Sequence, residues 1–174
     1  MKISEAVPNH LKDLYYPEQL TLWSIRIWSD GYRQNYSPYA TLREAYQRAK
    51  CSNGLMALDN FLSLVISGNS RPVDIRCPCC GGISEDEWRM LQSIALVQAG
   101  REEKVSRLIS HFLEPATVRV AQSVIANWAQ ELSDRSLQLQ LRPRALQQVE
   151  PNYAVAEKRA SFRVITNPSK VVLH

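Results

Sequence analysis

The stretch "GGISEDEWRMLQSIALVQAG", residues 81–100, contains the best-specified helix start in this 174-residue chain. Ser84 and Glu87 have the spacing of a capping box, in which each side chain accepts a hydrogen bond from the other residue's backbone N–H. Ile83 and Trp88 occupy the two positions of a hydrophobic staple around the same first turn. The apolar stripe that follows is Leu91, Ile94 and Ala95. We therefore predict an α-helix that starts after Ser84 and stops at Gly100.

Apolar residues recur with helical spacing on both sides of this segment. Upstream, we predict three helices, at 16–31, 41–50 and 52–69. The first ends at Gly31, and the second opens with another capping box, formed by Thr41 and Glu44. Downstream, residues 101–113 and 114–137 show the same period. Only "PVDIR", residues 72–76, resembles a β-strand. About six helices joined by short loops predict an all-α bundle.

Three of the four cysteines lie directly before the helix at 84–100, in "CPCCGG" at 77–82. Cys77 and Cys80 have the spacing that offers two thiolates to a metal from one tight turn. Pro78 stiffens such a turn, and the following glycines let backbone amides approach the sulfurs. Thiolates are soft ligands, which favour zinc or iron over magnesium or calcium. The segment resembles one knuckle of a zinc ribbon or of a rubredoxin-like metal site, over about six residues. That resemblance implies a structural zinc, with iron as the alternative.

The remaining ligands of this predicted metal site must come from elsewhere, because the chain has no second C-x-x-C pair. We predict one zinc per chain, bound by Cys77 and Cys80, with the set completed by Cys79, Cys51 or His111. The histidines His10 and His174 are further candidates. Cys79 is either a third ligand or a buried residue outside the metal site.

Two other interpretations of the cysteine loop stay open. The cysteines can be reduced and half-buried without a metal, since free cysteine commonly behaves as a small hydrophobe. C-P-x-C also resembles the active-site spacing of glutaredoxin-like and thioredoxin-like proteins, in which a helix that starts at the motif lowers the pKa of the first thiol. Here the predicted helix starts several residues after Cys77 and no βαβ pattern surrounds it, so we expect Cys77 not to be a catalytic redox thiol. We also expect neighbouring cysteines not to pair without strain.

Charge divides the chain into two parts. Residues 1–141 carry 15 basic and 15 acidic residues, whereas residues 142–174 carry six basic and two acidic residues and account for the net charge of +4. The second part has three prolines and no sustained helical period, which predicts an extended basic tail. Its apolar residues include Phe162, Ile165, Val171 and Leu173. They indicate that the tail docks on the body or on another chain. We thus predict a helical domain at 1–141 and an extended tail at 142–174.

The sequence favours binding over catalysis. It contains no H-E-x-x-H, G-x-S-x-G or P-loop motif. No apolar run reaches 18 residues and the first 20 residues lack an apolar signal core, so we expect a cytoplasmic protein with no membrane span. We predict a non-enzymatic adaptor or regulatory protein that docks a protein partner, or a second copy, through its tail. Trp28, about 140° from Trp23 on a helical wheel, is expected to be partly exposed to such a partner.

Two alternative functions remain at this point. A nucleic-acid-binding regulator would use the basic tail for phosphate contacts. A redox accessory enzyme would use the CPCC cysteines for metal- or thiol-dependent chemistry.

Overall fold

The computed structural model describes residues 8–149, and these residues form an all-α bundle, as predicted. The helices are α1 (Tyr16–Gln34), α2 (Tyr39–Arg48), α3 (Ser52–Ser67), α4 (Glu85–Gln98), α5 (Val105–Ile109), α6 (Pro115–Ser133) and α7 (Pro143–Val149). Short 3₁₀ turns occupy Leu11–Asp13 and Glu102–Lys104. Within 8–149 there is no β-strand, so the prediction of a strand-like segment at 72–76 is wrong.

Helix α4 lies at the centre of the bundle and starts as predicted. Ser84 Oγ accepts a hydrogen bond from the Glu87 N–H at 3.1 Å, and the Ser84 N–H donates to Glu87 Oε2 at 2.9 Å. The helix packs against α1, α5 and α6, and α6 also packs against α3. Its fully buried residues include Leu91 and Leu96. Because α4 is fixed in the core, its first turn gives the preceding cysteine loop a rigid support.

The boundaries of α1 and α2 differ from the prediction. Helix α1 passes through Gly31 and ends at Gln34, and Asn35 follows with a left-handed φ of 55°. Gly31 is needed for close packing instead, because a Cβ built there would lie 2.7 Å from Pro38 Cδ. Pro38 is the residue before α2, so the helix starts at Tyr39 and the predicted capping box at 41–44 does not form.

The start of the predicted tail is docked on the bundle. Residues 137–142 run along α4, where the Leu139 N–H donates to Gln98 Oε1 at 2.8 Å and the Arg142 N–H donates to Gln92 Oε1 at 2.9 Å. Residues 143–149 then form α7, which packs against α5 and buries Ala145 completely. The prediction of an extended tail is therefore wrong for these seven residues. Pro143 is compatible with a helix because it occupies the first helical turn. Residues 150–174, with the remainder of the predicted tail, lie outside the described residues.

Across residues 8–149, none of the helices combines the length and the apolar character that crossing a membrane requires.

Candidate metal centre in the cysteine loop

Three sulfur atoms converge in the loop between α3 and α4. The Sγ atoms of Cys77, Cys79 and Cys80 all lie within 4.8 Å of one another. Cys77 and Cys80 form a disulfide, and Cys79 Sγ lies 3.2 Å from Cys77 Sγ. We expected neighbouring cysteines not to pair without strain, and Cys77 and Cys80 do pair here. The Cys80 N–H donates to the Cys77 carbonyl at 3.1 Å, and this turn brings the two Cα atoms to 5.3 Å, within the disulfide range.

The spacing of these sulfurs suits a metal ion once the disulfide is reduced. In a tetrahedral site with Zn–S bonds of about 2.3 Å, the sulfurs lie about 3.8 Å apart. Metals bind the thiolate form of cysteine, so the bond between Cys77 and Cys80 must open before a metal enters. The three thiols are then close enough together to hold one metal ion.

A buried ion pair fixes the backbone of this cysteine loop. The side chains of Arg26 on α1 and Glu87 on α4 are both completely buried, and Arg26 Nε donates to Glu87 Oε1 at 2.7 Å. Arg26 Nη2 donates to Glu87 Oε2 at 2.8 Å and to the Gly82 carbonyl at 2.6 Å, while Nη1 donates to the Cys80 carbonyl. Glu87 Oε1 also accepts the Arg76 N–H at 2.9 Å. The loop is thus held to two core helices on both sides of the cysteines.

Asp86 holds the segment that leads into the loop. Its carboxylate accepts two hydrogen bonds from the Arg71 guanidinium, at 2.8 and 2.7 Å, one from Arg89 at 3.0 Å and one from the Asp74 N–H at 3.0 Å. Burial acts to raise the pKa of this carboxyl, but the hydrogen bonds from Arg71 and Asp74 outweigh it and hold the pKa below its usual value. Asp86 and Glu87 in the first turn of α4 therefore hold the loop and the segment before it, and they also interact favourably with the helix dipole.

The N-terminal segment runs along the other edge of the loop. The Leu11 N–H donates to the Gly81 carbonyl at 2.7 Å, and the Ile83 N–H donates to the Asn9 carbonyl at 3.1 Å. These bonds place His10 beside the glycines that follow the cysteines. A Cβ built on Gly81 would lie 3.4 Å from His10 Nδ1, and the His10 side chain is exposed. The His10 imidazole thus lies beside Gly81, but its nitrogens are not among the ligand atoms that lie within 4.8 Å of one another in the group of sulfurs.

Two other predicted ligands lie elsewhere. Cys51 is buried before α3, where its Sγ donates to the Glu131 carbonyl at 3.5 Å, and burial raises the pKa of its thiol. His111 is exposed after α5, and its backbone carbonyl accepts a bond from Arg71 Nε. Burial and then the charge of Arg89 lower the pKa of the His111 imidazole. The structure does not bring either residue into the group of sulfurs, and His174 lies outside the described residues.

Comparisons with known proteins give no relative: no family model, no curated protein and no solved structure matches this chain. The chemistry of the site must therefore follow from its own residues.

Proposed function

We propose that this chain is a non-enzymatic binding protein whose reduced cysteine loop holds one zinc ion as a structural centre. The observation that carries the proposal is the convergence of Cys77, Cys79 and Cys80 on a loop held by the buried Arg26–Glu87 pair. Thiolates select zinc over hard cations, with iron as the alternative metal. The ion would join the loop to the N-terminal segment that precedes α1, and its binding would stabilise the folded protein because the ligands come together only in the folded chain.

The fourth ligand in this proposal is the His10 imidazole, in place of Cys51 or His111. The side chain of His10 is exposed and the Leu11–Gly81 hydrogen bond keeps its backbone beside the loop, so a rotation of the side chain would have to bring the imidazole to the sulfurs. Three cysteines and one histidine make a closed set that is common in structural zinc sites. Catalytic zinc sites instead keep a coordination position open for water or substrate.

The surroundings of the loop favour binding over catalysis. Many catalytic metal sites place a general base near the metal. The nearest buried carboxylates, Asp86 and Glu87, are already bonded to arginines and to backbone amides, so neither is available as a base. The protein would therefore act by docking a protein partner or a second copy, with nucleic acid as the alternative partner. A reducing compartment such as the cytoplasm would keep the thiols able to bind metal.

A second candidate function is thiol exchange, which the contact between Cys79 and the disulfide favours. Cys79 Sγ lies 3.2 Å from Cys77 Sγ, close enough for a thiolate to attack the Cys77–Cys80 bond. However, α4 starts at Glu85, five residues after Cys80, so no helix N-terminus lies at Cys77 to activate its thiol. We therefore place this function second.

Metal analysis of the full chain, purified with reductant and without chelator, tests both functions. We expect about one zinc per chain, lost in Cys77→Ser, Cys79→Ser and Cys80→Ser. Cys51→Ala is the matched control, because it removes a thiol that lies outside the loop, and it should keep its metal. Absence of both zinc and iron would contradict the metal site. Insulin reduction that Cys77→Ser abolishes would support thiol exchange instead.

A further inference from the structure

Aromatic side chains line a cavity at the junction of α1 and α2, which is built from residues other than those of the cysteine loop. The cavity has a volume of about 270 Å³, and we call it the aromatic cavity. Its aromatic residues are Trp28, Tyr32, Tyr36 and Tyr39. The Trp28 and Tyr32 rings stack with their centroids 6.1 Å apart and their planes 5° apart. The three tyrosines are exposed, by 60%, 46% and 39% in chain order, so their rings are open to a ligand.

Trp28 is buried, with 8% of its surface exposed, so the expectation that it is partly exposed is wrong. Its indole Nε1–H donates to Asp59 Oδ1 at 2.8 Å, which satisfies its polar atom inside the bundle. The exposed ring of Tyr32 stacks on the Trp28 ring. Trp28 therefore forms the inner wall of the cavity.

Two carboxylates lie directly behind the hydroxyl groups of the cavity. Tyr36 Oη donates to Asp30 Oδ2 at 3.0 Å, and Tyr39 Oη donates to Asp59 Oδ1. The pKa of Tyr36 is raised by burial and by Asp30, and that of Tyr39 by its hydrogen bond to Asp59 and by burial. Both hydroxyls therefore stay protonated and act as donors. Within residues 8–149, neither aspartate pairs with a lysine, arginine or histidine.

The end of α1 adds to this negative potential. Helix α1 has 19 residues and ends at Gln34, and the C-terminal carbonyls of a helix attract positive charge. Arg33 lies in the last turn but reaches away, because its Nη1 donates to the Ile75 carbonyl at 2.6 Å. The cavity is thus aromatic, and the two carboxylates behind its hydroxyl groups and the end of α1 give its surroundings a negative potential.

We propose that the aromatic cavity binds the guanidinium group of an arginine presented by a protein partner. Aromatic faces attract cations, and a planar guanidinium both stacks on such faces and donates hydrogen bonds to carboxylates. Asp30 and Asp59 do not line the cavity themselves, and each accepts from the aromatic donors described above, so their charge attracts the guanidinium from behind the tyrosine hydroxyl groups. A guanidinium is planar and can stack flat on the exposed tyrosine rings, whereas a tetrahedral quaternary ammonium cannot, which favours arginine.

The cavity is preformed, which lowers the cost of binding. A Cβ on Gly31 would lie 2.9 Å from the Tyr36 carbonyl as well as 2.7 Å from Pro38 Cδ, so the turn after α1 packs directly on the helix. The Tyr36 N–H also donates to the Gly31 carbonyl at 3.0 Å. A ligand would therefore meet tyrosines whose backbone is already held in place.

The test is a titration of the full chain, followed by NMR, with N-acetyl-Gly-Arg-Gly-amide and with its citrulline counterpart, which has the same shape without the charge. We expect the arginine peptide to shift the Trp28 indole and Tyr32 ring signals and to bind at least about tenfold more tightly than the citrulline peptide. Equal binding of the two peptides, or no shift with either, would overturn the proposal.

Variants of the same chain locate the site. Tyr32→Ala and Asp59→Asn should each weaken arginine-peptide binding by about tenfold. Tyr32 is largely exposed, so its removal should leave the fold intact, as circular dichroism would verify. The matched control is Tyr16→Ala, which removes an exposed tyrosine at the opposite end of α1 and should bind the peptide like the wild type. If the control weakens binding as much as Tyr32→Ala does, the cavity is not the site.

Discussion

Replacing Arg26 by methionine should destabilise the fold more than any exposed charge substitution. The side chain donates four hydrogen bonds, two to Glu87 and one each to the carbonyls of Cys80 and Gly82. Methionine preserves much of the volume but leaves the Glu87 carboxylate charged and fully buried. Removing one partner of a buried ion pair costs about 3–5 kcal/mol. For a chain of this size, that corresponds to a fall in Tm of roughly 6–20 °C.

The assay is urea unfolding followed by far-UV circular dichroism, with reductant present. Arg48→Met is the matched control, because Arg48 and Glu44 lie at a similar distance, 2.6 Å, but their side chains are 79% and 63% exposed. That pair should contribute no more than about 0.5 kcal/mol. The double variant Arg26→Met/Glu87→Leu should recover part of the lost stability, since it removes both charges. If Arg26→Met lowers the free energy of unfolding by no more than Arg48→Met does, the buried Arg26–Glu87 pair does not hold the loop.

Three further changes test other parts of the structure. Arg142→Met should cost on the order of 3 kcal/mol in urea unfolding, because Arg142 bonds both oxygens of the completely buried Glu18 carboxylate at 2.9 Å; unchanged stability would mean that the segment is not docked. The pKa of Asp86 is lower in the folded protein than in the unfolded chain, where it is about 3.9. The charge of Asp86 therefore stabilises the fold fully at pH values above about 3.9, and this stabilisation is lost as the pH falls through the folded pKa. The stability difference between the wild type and Asp86→Asn should thus be larger at pH 7 than at pH 3, and a constant difference would contradict this. Gly31→Ala should lower Tm by several degrees, since the added Cβ would collide with Pro38. An unchanged Tm would show that the turn after α1 can shift to make room for the Cβ.

The helices could be predicted where the determining interactions are local. The capping box at Ser84 and Glu87 spans four residues, and the apolar stripe of α4 repeats every turn, so both are visible in a short window of sequence. The end of α1 could not be found in this way. It depends on the contact between Gly31 and Pro38, and a glycine in a close contact looks the same in the sequence as a glycine at a helix stop.

The cysteine loop was visible in the sequence, but its support was not. Arg26 and Glu87 are separated by 61 positions, and their contact depends on how α1 packs against α4. The available signal was an arginine directly between Ile25 and Ile27 in an apolar helix, which indicates a buried and therefore paired charge. The position of Cys51 also depends on tertiary packing, because the residue is buried against α6, where its Sγ donates to the Glu131 carbonyl.

The aromatic cavity was missed for a related reason. A helical wheel assumes one buried stripe, but α1 contacts α2, α3 and α4 and is buried over a wide arc. Trp28 lies within that arc, and Asp59 on α3 accepts the hydrogen bond of its buried indole N–H. The tyrosines at 32, 36 and 39 come together only through the turn that follows the helix.

Zinc-edge X-ray absorption of the reduced full chain tests the central claim most directly, because it reports the atoms bound to the metal. We predict three sulfur ligands at about 2.3 Å and one nitrogen at about 2.0–2.1 Å, with the nitrogen replaced by oxygen in His10→Ala. The sulfur signal should persist in Cys51→Ala. A chain without zinc, or zinc bound by nitrogen and oxygen alone, would contradict the account.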